Sequence, residues 1–179
     1  FGIKYGLNPN KKMVNEEEVN KILNYAKLEK IDLLDTAPSY GVSEKILGKL
    51  DISNFKVVTK TRHFDNNEIN ENDLKLINID FQNSLKNLKT NNIYAILIHN
   101  SNDLLKVGSE KLYEYLLILK KEKKVNKIGV SVYDPIQLKS IINNFDIDIV
   151  QLPLNIIDRR MIEDDILSIL RKKKIEIHA

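Results

Sequence analysis

Asp35-Thr36-Ala37-Pro38-Ser39-Tyr40-Gly41-Val42-Ser43-Glu44 follows a short apolar run at residues 31–34. Two further apolar runs end in the same way, Val57-Val58-Thr59 in Lys60 and Ile96-Leu97-Ile98 in His99. Each run reads as a buried strand closed by a side chain that can hold or share a proton. In a parallel α/β barrel the carboxyl ends of successive strands share one rim, where that fold carries its chemistry. A carboxylate, a phenol, an ammonium and an imidazole are therefore expected in one pocket, from Asp35, Tyr40, Lys60 and His99.

On either side of these runs, helical and strand-like segments alternate. Asn15 before Glu16-Glu17-Glu18 predicts a capped helix with Val19, Ile22, Leu23 and Ala26 on its apolar face. Residues 43–50 read as a short helix containing Gly48, and Leu74, Ile77, Phe81, Leu85 and Leu88 recur at helical spacing. Ser109 is expected to cap a helix lined by Leu112, Tyr113, Leu116 and Leu119, and Asp134 a helix with Pro135 in its first turn. Asp158 is expected to cap a single helix through Met161, Ile162, Ile166, Ile169 and Leu170. Between the helices, residues 31–34, 55–59, 93–98, 127–132, 147–152 and 175–177 read as strands.

Strands that are apolar on both faces and alternate with helices predict a parallel sheet covered by helices. An open doubly wound sheet would call for a glycine-rich phosphate turn, and no G-x-G-x-x-G or P-loop pattern occurs. The expected fold is a (β/α)8 TIM barrel in a single domain, residues 1–179. Eight βα units take about 250 residues, so the barrel is expected to be incomplete, with about strands 2 to 7 present. The missing strands would precede Phe1, which is not a methionine, and follow Ala179. Two unpaired sheet edges would then remain, and the chain made alone is expected to be poorly stable and weakly active or inactive.

The 28 basic and 25 acidic side chains give a net charge of +3 and are spread along the chain. That balance argues against nucleic acid or a membrane surface as partner. Arg171-Lys172-Lys173-Lys174 reads as a solvated helix end, where cations complement exposed carbonyls. The chain has no cysteine, so neither disulfides nor a thiolate metal site is available. No apolar run approaches the roughly 20 residues that span a bilayer, and a cytoplasmic location is expected. The three histidines lack metal-ligand spacing, and no metal is expected.

A carboxylate beside a lysine keeps the ammonium charged, and an ammonium beside a phenol favours the phenolate. A phenol in that setting can give its proton to a carbonyl oxygen, while a neutral imidazole hydrogen-bonds to that oxygen and orients it. Reduction of the carbonyl also needs a hydride, which no side chain supplies, so a nicotinamide cofactor is implied.

Asp35-Thr36-Ala37-x-x-Tyr40-Gly41-x-Ser43-Glu44-x-x-Leu47-Gly48, with Lys60 and His99 following, resembles the signature of the aldo-keto reductases. The resemblance implies a (β/α)8 barrel that reduces carbonyl compounds with NADP or NAD, more often NADP in the family. It assigns Asp35, Tyr40, Lys60 and His99 to the catalytic tetrad, with Tyr40 as general acid. Gly129-Val130-Ser131-Val132 resembles the family's G-x-S-N segment, and Val150-Gln151-Leu152-Pro153 its next strand. Ser131 and Gln151 thereby match groups that hold the nicotinamide amide, whereas Val132 stands where asparagine is usual. The segments that grip the pyrophosphate and adenosine ends come mostly after the seventh strand. The expected substrate is a small carbonyl compound, and the alternative reading is a cofactor-binding or regulatory barrel without turnover. His63 reads as an exposed loop residue that could line the pocket mouth, and His178 has no assigned role. Tyr5, Gly6 and Asn8 would lie in a first loop where substrate contact is possible.

Overall fold

The computed structural model describes residues 1–3 and 13–179 of the chain. Tyr5, Gly6 and Asn8 lie outside the described residues. In chain order the elements are α1 (Glu16–Leu28), β1 (Leu33–Asp35), α2 (Ser43–Leu47), β2 (Lys56–Lys60), α3 (Glu71–Leu88), β3 (Ile93–Ile98), α4 (Ser109–Lys121), β4 (Val125–Ser131), α5 (Pro135–Asn144), β5 (Ile149–Gln151), α6 (Arg160–Glu163), α7 (Ile166–Lys172) and β6 (Glu176–His178). A 3-10 turn over Ser101–Leu104 follows β3. The six strands form one parallel sheet in sequence order, as short βα connections dictate.

The sheet curls into a half-barrel. Its inner face carries a small core of Val58, Ala95, Leu97 and Ile149, joined by Leu33 and Tyr94. The larger core lies between the outer face and the helices, where Leu23, Ile77, Phe81, Leu112, Leu116 and Leu138 meet Ile96 and Ile128. Side chains alternate along a strand, so Lys60 follows Val58 on the inner face and Gln151 follows Ile149. The carboxyl ends of the strands thus aim their last polar residues at one rim.

Several helix starts have the expected chemistry. Asn15 and Glu18 form the reciprocal capping box of α1, and the Asp134 carboxylate accepts from the Ile136 and Gln137 amides at the start of α5. Ile22, expected on the buried face of α1, is 45% exposed, and burial falls on Val19 and Leu23. Gly48 terminates α2 instead of lying inside it. Gly108, not Ser109, precedes α4, in the left-handed conformation; a Cβ there would lie 2.3 Å from the Ile69 carbonyl oxygen, so the turn admits only glycine. The helix expected after Asp158 is two helices, broken where Asp165 takes a left-handed backbone (φ 56°). Arg159 directly precedes the first of these, and the Asp158 carboxylate accepts from the Arg160 amide at 3.4 Å while pairing with the Arg160 guanidinium. Arg171 and Lys172 close α7 with the cations expected at that end.

Candidate active site

Asp35, Lys60, Ser131, Gln151 and His178 end their strands, and His99 directly follows β3. The Lys60 side chain is 1% exposed, and its ammonium meets both Asp35 carboxylate oxygens at 2.6 Å and the Thr36 carbonyl at 3.2 Å. Those three acceptors match its three protons, so burial leaves no donor unpaired. The same nitrogen lies 4.9 Å from the centre of the Tyr40 ring.

Tyr40 sits in the turn between β1 and α2. The Tyr40 amide donates to the Ala37 carbonyl, and the Ser43 amide donates to the Tyr40 carbonyl. Gly41 takes φ 61°, with the Gly2 backbone against it, which favours glycine at that point of the turn. The rest of the signature run is structural: the Thr36 hydroxyl donates to Ser43 Oγ at 3.0 Å, and the Thr59 hydroxyl donates to Glu44 Oε1 at 2.7 Å. Ser43 and Glu44, both buried, thus fasten the start of α2 to β1 and β2 on either side of Tyr40.

His99 is half-buried, and its ring packs edge-on to Tyr40 with centroids 5.9 Å apart. Burial, followed by the charges of His63 and Lys60, lowers its pKa to about 4 against the opposing pull of Asp35. The imidazole is therefore neutral at physiological pH and able to donate one hydrogen bond. Its Nδ1 is buried without a hydrogen-bond partner. The four sequence-predicted groups converge: Asp35 on Lys60, Lys60 under Tyr40, and Tyr40 against His99.

Ser131 and Gln151 border one cavity of about 230 Å³ at the rim, together with Val132, Tyr133, Leu152 and Pro153. The Gln151 amide also donates to Asp35 Oδ1 at 3.0 Å, which joins these two residues' side of the rim to the tetrad. Val132 is fully buried and presents only hydrocarbon. A larger cavity of about 560 Å³ opens near Leu50, Phe55, Tyr94 and Asn126, at the amino ends of the strands and remote from the tetrad.

Two histidines gain partners that sequence reading left open. His63 is exposed on the loop after β2, and its ring packs edge-on against His99 with centroids 4.3 Å apart. His178 Nε2 lies 2.7 Å from Glu176 Oε1, and Glu176 also accepts from Tyr94 and pairs with Lys127. Burial pushes the Glu176 carboxyl up, but Lys127, Tyr94 and His178 together outweigh it and hold its pKa down at about 2. The members of that inner network lie on β3, β4 and β6, and no spacing along the sequence links them. Among the described residues, no cluster of three histidine, aspartate or glutamate side chains is placed to hold a metal ion, and no helix is long and apolar enough to cross a membrane.

The profile of the aldo/keto reductase family matches residues 2–179. The chain belongs to this family. No curated protein sequence matches it. Among solved structures it is similar to a Pseudomonas aeruginosa protein assigned to the aldo-keto reductases, with a TM-score of 0.80, 24% identity, and coverage of 99% of this chain and 68% of that one. It is also similar to the glycerol dehydrogenase AKR11B4 from Gluconobacter oxydans, with a TM-score of 0.69, 24% identity, and coverage of 92% and 54%. An aldo/keto reductase from Klebsiella pneumoniae solved with NADP and acetate gives a TM-score of 0.70 at 17% identity, covering 90% and 56%. The aldo/keto reductase chain described here thus spans from about half to two thirds of the length of these proteins, and its curled sheet matches an incomplete TIM barrel of that family.

Proposed function

We propose that this protein reduces an aldehyde or ketone to the alcohol with NADPH or NADH, Tyr40 acting as general acid. The observation that carries the reading is the convergence of Lys60, paired with Asp35, on the Tyr40 ring, with His99 on the ring's edge. Family membership supports oxidoreductase chemistry in general, and the residue roles follow from the chemistry of these side chains.

Lys60 places a positive charge beside the Tyr40 phenol and stabilises the phenolate that remains once the proton has left. Asp35 keeps that ammonium charged in a buried position. His99, neutral, donates a hydrogen bond to the substrate carbonyl oxygen and turns it toward Tyr40. The carbonyl carbon gains a hydride, the oxygen takes the Tyr40 proton, and the phenolate recovers its proton from solvent. The hydride comes from the nicotinamide cofactor when it is bound. Ser131 and Gln151 suit its carboxamide, because a hydroxyl and an amide in one small cavity can both donate to and accept from such a group. The substrate class is a small carbonyl compound acting at a cytoplasmic enzyme.

The test is oxidation of NADPH and of NADH with a panel of aldehydes and ketones, together with Tyr40→Phe. Loss of the general acid lowers kcat by about 10²–10⁴-fold with cofactor affinity retained. Turnover undiminished in Tyr40→Phe removes the acid role. Cofactor binding with no turnover of any carbonyl favours the non-catalytic reading, to which the hydrocarbon of Val132 beside the amide cavity lends weight.

A further inference from the structure

We infer that His63 is a positioning residue for His99: its ring packs edge-on against the imidazole and, with Tyr40, holds His99 as a hydrogen-bond donor at the rim. The inference rests on the reading of His99 as the group that orients the substrate carbonyl.

An imidazole that must point one nitrogen at a substrate is ordinarily fixed by a hydrogen bond at the other. His178 has such an anchor in Glu176. His99 has none, since its Nδ1 is buried without a partner and the hydrogen bond from its residue to Thr61 Oγ1 comes from the backbone amide. Its orientation is therefore left to packing. Tyr40 lies edge-on to the ring at 5.9 Å and His63 edge-on at 4.3 Å, both arrangements that aromatic rings favour.

The loop that carries His63 is built to keep it there. On one side, the Arg62 guanidinium makes a two-pronged ion pair with Asp80 of α3. On the other, Phe64 is buried, and its carbonyl accepts from Lys106, which also pairs with Asp103 at 2.7 Å. The Thr61 amide donates to the Leu97 carbonyl, extending the alignment of β2 and β3 to the rim. With both neighbours held, His63 has little freedom to leave the face of His99.

The contact also bears on protonation. Titratable groups reach His99 from each neighbouring element: Asp35 from β1, Tyr40 from the β1–α2 turn, Lys60 from β2 and His63 from the β2–α3 loop. Asp35 alone favours the imidazolium, and it is already engaged by Lys60 and Gln151. His63 shields His99 from water and, when protonated, repels a second proton. Both effects act to keep His99 neutral.

The experiment follows the three histidine side chains of the protein by NMR titration, in wild type, His63→Ala and His63→Phe, alongside kcat and KM as functions of pH. In His63→Ala the His99 midpoint rises by about one unit or more, because the shield and the charge are both lost. The acid limb of kcat/KM rises with it, and kcat at neutral pH falls by about 10-fold as the donor loses its orientation. His63→Phe, which restores a ring of similar breadth, recovers most of the neutral-pH kcat. A His99 midpoint unmoved in His63→Ala overturns the inference, as does a His63→Phe variant as slow as His63→Ala. If wild type turns over no carbonyl, the reductase reading fails while the titration still decides the role of His63.

Discussion

The Gln151 side-chain amide donates to Asp35 Oδ1 at 3.0 Å across 116 residues of sequence. The bond spans the rim of the half-barrel, because Asp35 ends β1 and Gln151 ends β5 while three strands lie between them in the sheet. Asp35 thereby serves two partners, Lys60 at the end of β2 and Gln151 beside the rim cavity.

Replacing Gln151 with Leu removes that tie while leaving the ion pair. The expected loss is about 1 kcal/mol in stability, the net worth of one hydrogen bond, read by urea denaturation. NADPH affinity, followed by fluorescence titration, falls as well, because the cavity loses its amide. Unchanged affinity would leave Gln151 with a purely structural part.

The two ends of the Asp35–Lys60 pair respond unequally. The Lys60 side chain is 1% exposed and that of Asp35 35%. Asp35→Asn leaves a buried ammonium without a counter-charge, at a cost of about 3–5 kcal/mol. Lys60→Met leaves a carboxylate that reaches water and keeps Gln151, so it costs clearly less. Urea midpoints of the two variants measured together check the order, and equal losses would contradict it.

His99 also makes stability depend on pH. Its pKa is lowered from 6.5 to about 4 in the fold, so between those values the unfolded chain binds a proton that the folded chain refuses. The folded state is therefore at full stability with respect to this group above about pH 6.5. It loses up to about 3 kcal/mol as pH falls toward 4. Thermal unfolding between pH 4 and 7 tests this, with His99→Asn expected to flatten the slope across that window.

Gly129 lies on β4 where β5 approaches closely, and a Cβ there would stand 1.9 Å from the Ile149 carbonyl oxygen. The obstacle is backbone in the same sheet and cannot swing aside. Gly129→Ala should cost about 3 kcal/mol or more, at the upper end of overpacking, or yield no folded protein. A variant with wild-type unfolding would show that β4 and β5 can separate without penalty.

Much of this arrangement is legible in the chain. Short apolar runs ending in Asp35, Lys60 and His99 mark inward strands and their rim, because a barrel buries both faces of each strand until its end. The caps at Asn15 and Asp134 are equally local, each needing only a side chain and an amide two or three residues away. Other points turned on packing at a distance. Gly108 replaced Ser109 at the start of α4 because the turn passes the backbone of Ile69, and the helix after Arg159 broke at Asp165. Neither Ile69 nor the break is signalled by helical spacing.

The order of strands and helices, the family, and the four groups that meet at the rim are legible in the chain, since these depend on residue type and spacing along one strand or turn. Three contacts arise only in three dimensions: His63 packs edge-on against His99, Glu176 gathers Tyr94, Lys127 and His178, and Gln151 reaches Asp35. Those contacts join separate loops and strands, and their partners are selected by the curl of the sheet, a three-dimensional property that no local pattern encodes.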